Sequence, residues 1–363
     1  VSARGNAGRG LTIFTAGRGA ERFRRAGEIA AQAEAAGFDA VWTTELYNRS
    51  ATVPLAVLAA ATSRVRIGSN IAYGAGRSPL ILAAEARDLD ELSEGRLVLG
   101  LGNGTRGMLE NWLSVSGEAP AARMTELVEV LRALWLLHEG PVHHDGRFYR
   151  LHLAPTAETP APFRERLPIW TAGVNAGMVR VAGRVADGLV AHPMTTTAYL
   201  DEVVRPELAR GAAEVGRDLD AFTVMGIRMC ALDDDEEAAR RRLAFAIAQY
   251  VLARPYDRLM AVHGWTGHQE RIRAAARERD GAAMAAAVPD DMIDAIGIAC
   301  RPADLDARVA AHEADFGHLD LVAPAWGLSP EESEAATREI LAALTTEPVT
   351  PAAHPEDACP SPS

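Results

Sequence analysis

Lysine is absent from all 363 residues, so each of the 37 basic side chains is arginine. That absence excludes a Schiff base between the chain and a carbonyl substrate or pyridoxal phosphate, which needs an internal amine. Any phosphate or carboxylate must be held by guanidinium groups, hydroxyls or backbone N–H groups. Cysteine is nearly as scarce: Cys230, Cys300 and Cys359 are too few and too scattered for a disulfide framework or a metal knuckle, and the first two read as buried thiols. No apolar run reaches the length of a bilayer span and the first residues lack the apolar block of a signal peptide, so a cytoplasmic protein without a membrane partner is expected. Basic charge is also in deficit, and the resulting net charge of -12 argues against nucleic acid as a partner.

What is present is a repeated strand–helix grammar in a chain that is 48% hydrophobic, ample for one large core. Arg64 to Gly104 contains a buried strand, an amphipathic helix opened by Pro79, and a second buried strand ending in glycines, which is one parallel βαβ unit. Strands are predicted at Leu11–Ala16, Ala40–Thr44, Val65–Ala72, Leu97–Leu101, Leu167–Ala172, Gly188–Ala191, Phe222–Ala231 and Leu319–Ala323. Eight strands alternating with helices over this length predict an α/β fold of the (β/α)8 TIM barrel type rather than an open doubly wound sheet. A mainly helical stretch from Glu236 to Ala314 separates the last two strands. The expected organisation is one barrel over residues 1–345, with a hairpin insertion near 139–165 and a helical insertion near 253–294. Residues 346–363, rich in Pro, Ala, Ser and Glu, read as a disordered tail.

Barrels place chemistry at the C-terminal ends of their strands, and the candidate residues are sought there. Gly100, Gly102 and Gly104 with Asn103 follow the fourth strand, where glycine lets the backbone approach a ligand or make a tight corner. Their spacing is not that of the dinucleotide fingerprint. Ala172-Gly173-Val174-Asn175 opens a helix after the fifth strand and presents unpaired N–H groups to a phosphate, with Asn175 alternatively a plain N-cap. Glu45 and His192, ending the second and sixth strands, are the titratable groups best placed for proton work; the bland alternatives are an arginine salt bridge and a wall histidine before Pro193. Tyr47, Trp112, Met194, Tyr256, Trp265 and Trp326 are candidates to line an apolar pocket or to fill core. His143-His144-Asp145-Gly146 reads as a hairpin turn whose adjacent imidazoles point apart, and no metal site is expected.

Gly37 to Trp42 leading into Glu45, Ile67-Gly68-Ser69-Asn70-Ile71, Arg77-Ser78-Pro79, Leu89 to Gly102, Gly140 to Tyr149, Leu167 to Gly173 and Val185 to Gly188 with His192-Pro193 occur in one order along nearly the whole chain. Together they resemble the luciferase-like monooxygenase superfamily, and Ala253 to Trp265 resembles its actinobacterial branch of coenzyme F420 (deazaflavin)-dependent oxidoreductases. The resemblance implies a barrel of the bacterial-luciferase type with insertions, F420 at its mouth, and hydride transfer between the reduced deazaflavin and a C=C, C=N or C=O carbon of a small organic substrate; the alternatives are an FMN-dependent two-component monooxygenase and a flavin- or deazaflavin-binding protein without turnover. It implies further that Asn70 and Ile71, joined by a non-prolyl cis peptide, back the cofactor ring, with Gly102, Asn103 and Gly104 beside it. Ala172, Gly173, Val174 and Asn175 would take the phosphate, Glu45 or His192 the proton, and the chain would form a homodimer. A well-studied deazaflavin branch has an Asp-His pair where this chain has Glu45-Leu46, so the usual imidazole is missing there.

Overall fold

Twelve strands form among residues 8–345, the part of the chain that the computed structural model describes. They are β1 Gly8–Thr12, β2 Ala40–Thr43, β3 Arg66–Ser69, β4 Ala72–Tyr73, β5 Leu97–Gly102, β6 Val142–Asp145, β7 Arg150–Leu153, β8 Ile169–Ala172, β9 Gly188–Val190, β10 Thr223–Leu232, β11 Gly297–Cys300 and β12 His318–Val322. Parallel pairing runs β1-β2-β3-β5-β8-β9-β10-β12 and closes from β12 back to β1, which is the eight-stranded barrel. Helices alternate with these strands around the outside. Residues 346–363, expected as a tail, and Cys359 lie outside the described residues.

Three local differences from the sequence reading have physical causes. The first strand begins at Gly8 and ends at Thr12, not Leu11–Ala16, because Gly8-Arg9-Gly10 looks like loop until its partners are known. Gly10 is needed there, since a Cβ would sit 2.5 Å from the Trp42 indole and 2.6 Å from His318. The helical stretch before the last strand hides β11, which pairs along the outer half of the ten-residue β10 and takes no part in closing the barrel. His143 and His144 stand on strand β6 rather than in the turn: His143 packs edge-on to His152, while His144 reaches Glu126.

Two indoles and an imidazole fill the lower barrel. Trp42 is fully buried, 5.4 Å from both the Trp170 and His318 rings, and donates its Nε1–H to His318 Nε2 at 3.0 Å. The strands flanking β2 each give glycine to one edge of that indole, Gly10 on one side and Gly68 on the other. Burial and the nearby Arg66 charge push the His318 imidazole down to about 3. Entry into β3 is fixed by Glu34, whose carboxylate accepts from the N–H groups of Ser63, Arg64 and Val65. Burial pushes that carboxyl upward, but the backbone bonds outweigh it and hold it at about 2. No helix among the described residues is long and apolar enough to cross a membrane.

Candidate functional site

Strand β3 breaks at a cis peptide between Asn70 and Ile71 and resumes as β4, which pairs with β5. The bulge between them is pinned from several sides. Asn70 donates its N–H to Thr43 O, Glu45 its N–H to Ile71 O, and Gly74 its N–H to Gly102 O. Glu45 is buried; its Oε2 accepts the Tyr73 N–H at 2.7 Å and its Oε1 the Arg77 guanidinium. Burial and that carboxylate raise the Tyr73 phenol to about 12. Both oxygens of Glu45 are thus engaged as acceptors, the salt-bridge arrangement, and the side chain braces the bulge. Leu46, beside it, bridges to Arg49.

Beneath the bulge lies a buried polar triad that the sequence reading missed. Asp320 on β12 is fully buried, and its Oδ2 accepts from Thr12 Oγ1 at 2.6 Å and from Asn70 Nδ2 at 3.0 Å. Oδ1 of Asp320 and Oδ1 of Asn70 have no hydrogen-bond partner among the described residues. Burial pushes the Asp320 carboxyl well above the usual range, the two hydrogen bonds pulling the other way. A signal was available, since Leu319-Asp320-Leu321-Val322 places an acid inside an otherwise apolar strand.

A pH experiment follows from this burial. Asp320 holds its proton to higher pH in the folded than in the unfolded chain. Its contribution is therefore full below the ordinary carboxylate range and is lost as pH rises toward the folded-state pKa. Asp320→Asn should be relatively more stable than the parent at pH 8 than at pH 4 in urea melts. Imidazoles held low, such as His318, act in the opposite sense, but they cancel in the difference between the two proteins. Parallel stability curves would show that Asp320 ionises normally.

The predicted glycines meet the bulge. A Cβ on Gly102 would lie 2.7 Å from Ile71 Cδ1 and 3.4 Å from the Ala172 Cβ, so Ile71, Gly102 and Ala172 share one surface. Gly104 turns the chain at a φ of +69. Asn103 is buried, donates to Pro120 O at 3.0 Å and leaves its Oδ1 without a partner among the described residues. Its amide also reaches Met178, on the helix Ala176–Val185 that follows the turn Ala172 to Asn175. In that turn Val174 O accepts the Tyr199 hydroxyl and Asn175 occupies the N-cap position, but its side chain makes no capping bond. The first N–H groups of a helix have no intrahelical partner. Gly173 is required on the other side too: a Cβ would fall 2.9 Å from Val179 N, against the helix backbone.

His192 follows β9 on another part of the rim. Its Nδ1 accepts the Met194 N–H at 3.2 Å, so the neutral ring carries its proton on Nε2 and donates to Tyr256 Oη at 2.8 Å. Tyr250 and Tyr256 each pack 4.9 Å from the imidazole, and Trp326 stands edge-on to Tyr250. Burial among them pushes His192 down to about 3 and Tyr256 upward. Of the other aromatic candidates, Met194 is fully buried and Trp265 is core, its indole bonded to Asp291 and stacked on His263. Tyr47 and Trp112 pair edge-on at 5.4 Å and are exposed. Glu45 and His192 share no hydrogen-bond partner; they belong to separate networks.

With this geometry in hand, comparisons with known proteins are informative. The family model described as luciferase-like monooxygenase matches residues 8–320. An uncharacterized protein of Mycobacterium tuberculosis is 34% identical over 318 residues, 85% of this chain and 92% of the relative. The 5,10-methylenetetrahydromethanopterin reductase of Archaeoglobus fulgidus is 28% identical over 284 residues, 76% of this chain and 82% of its own length. Among solved structures, the coenzyme F420 dependent tetrahydromethanopterin reductase from Methanopyrus kandleri superposes with a TM-score of 0.74 at 23% identity, covering 93% of this chain and 99% of that one.

Proposed function

This chain belongs to the luciferase-like monooxygenase family, and from that premise we propose that it is a coenzyme F420-dependent oxidoreductase acting on a small organic substrate. The observation that carries the reading is the close seating of the pinned bulge on the end of β5, where a Cβ on Gly102 would lie 2.7 Å from Ile71 and 3.4 Å from the Ala172 Cβ, leaving these three residues to form one flat surface. Asn70 and Asn103, the chain neighbours of Ile71 and Gly102, each leave a buried carbonyl oxygen without a partner among the described residues, which suits a flat polar ring with N–H groups to offer. The F420-dependent reductase among the structural neighbours and the reductase among the sequence relatives favour the deazaflavin over FMN.

In this reading Asn70 and Ile71 back the ring, Gly102, Asn103 and Gly104 flank it, and the turn Ala172 to Asn175 offers backbone N–H groups to the phosphate. When bound, the deazaflavin supplies or takes the hydride, exchanged with a C=C, C=N or C=O carbon of the substrate. The chain supplies position and protons. Glu45, with both oxygens occupied, positions the bulge. The proton falls to His192 and Tyr256: the imidazole N–H donates to the phenol oxygen, leaving the phenol hydrogen to be donated onward. Val53, Leu80 and Ile81, exposed on two neighbouring helices, support a homodimer.

Fluorescence-quenching titrations test the cofactor. F420 should bind with micromolar or tighter affinity and NADPH poorly, since no dinucleotide fingerprint is present. Tight binding of FMN with none of F420 would replace this reading by a flavin-dependent monooxygenase.

A further inference from the structure

The barrel has a second opening, at the end opposite the bulge, and its charges are not balanced. A cavity of about 270 Å³ lies among the N-terminal ends of β3, β5, β8 and β10, lined by Arg66, Arg96, Arg164, Asp187, Trp170 and Thr223 among others. Two of its charged groups are already neutralised. Arg164 forks onto Asp90, and Asp187 accepts from Arg132, Arg166 and the Ile169 N–H.

The other two are not. Arg96 spends its guanidinium on neutral acceptors, Thr62 Oγ1 and the carbonyls of Val65, Ala59 and Thr62. Arg66 has one polar contact, a long 3.4 Å approach to His318 Nδ1, and stands 6.0 Å over the Trp170 ring. Neither has a carboxylate within salt-bridge distance among the described residues. Burial opposes the charge on both, with more distant acids, Asp39 for Arg66 and Glu34 and Glu94 for Arg96, only partly offsetting it. A guanidinium offers five donors in a fixed fork suited to an oxyanion, and a half-buried positive charge with no acid beside it favours taking one up.

The geometry points to an anion site at the barrel floor, in which Arg66, with the Arg96 charge beside it, holds a phosphate group, inorganic or borne by a small phosphomonoester. The space exceeds that of the oxyanion alone, and the Trp170 indole and the Thr223 side chain line the remainder. The site is independent of the reading of the mouth and needs no deazaflavin.

Isothermal titration with inorganic phosphate, at ionic strength held constant with chloride, tests it. Because the turn at Gly173 is also suited to phosphate, only the part of the binding that depends on Arg66 counts. Arg66→Met should weaken that binding about tenfold or more, the size of a lost charge-assisted pair, and abolish the phosphate-dependent rise in Tm, while F420 affinity stays within a few-fold of the parent. Arg66→Lys, which keeps the charge and loses the fork, serves if the methionine variant does not fold and should retain intermediate affinity. Glycerol phosphate separates the two sources: tighter binding than inorganic phosphate indicates a monoester, equal or weaker binding the free ion. Isotherms and melting shifts unchanged in both variants would overturn the proposal.

Discussion

Gly68→Val is expected to cost about 3 kcal/mol or more of stability, at or beyond the upper end of ordinary overpacking, and so a large fraction of what a domain possesses. Its Cβ would lie 2.2 Å from Trp42 Cζ3, 2.5 Å from Cε3 and 3.0 Å from Val98 O. The indole cannot swing away. Its other edge abuts Gly10 and commits its N–H to His318, and the Trp170 ring packs tilted against it at 5.4 Å. The matching control is Trp42→Leu, which alone should cost about 3 kcal/mol through the cavity it leaves. Combined with Gly68→Val, the added methyl groups occupy part of that space, so the double variant should lose clearly less than the two costs added together. Urea melts of the four proteins give the coupling directly. Strict additivity would show that Gly68 is not the floor on which Trp42 rests.

The same packing explains which parts of the fold were legible in the sequence. Parallel strands buried on both faces are apolar runs, so Ala40–Thr43, Leu97–Gly102 and Ile169–Ala172 stood out. Strand β1 is displaced in the reading because its inward positions, Gly8 and Gly10, are glycine to make room for partners far along the chain. Strand β11 is four residues continuous with a helix, and its only reason to extend is the overhang of β10, which no local pattern reports. At the mouth, strand order alone placed Asn70, Gly102, Ala172 and His192 near one rim. It could not say that Glu45 would meet Arg77, which lies 32 residues away. Nor did it pair His192 with Tyr256, which arrives from a helical segment outside the strand grammar.

These contacts separate the two titratable residues by experiment. His192→Ala should lower single-turnover hydride transfer by about a hundredfold to ten-thousandfold, the usual size of a positioned proton donor's contribution. F420 affinity should stay within a few-fold, because the imidazole faces Tyr256 and Met194 and not the Ile71–Gly102 surface. With the folded imidazole held down at about 3, it is neutral throughout the working range, so the parent's rate should show no break near the ordinary histidine pKa. Tyr256→Phe should reproduce most of the loss if the phenol is the group that delivers the proton. Glu45→Gln should behave differently. It removes the charge that Arg77 meets and weakens the brace on the Tyr73 N–H, so the loss should fall on F420 affinity and on turnover together, as for a positioning residue. If instead Glu45→Gln lowered turnover with unchanged affinity while His192→Ala left the rate intact, the proton would pass through the carboxylate, and Arg77 would have to release it during the reaction.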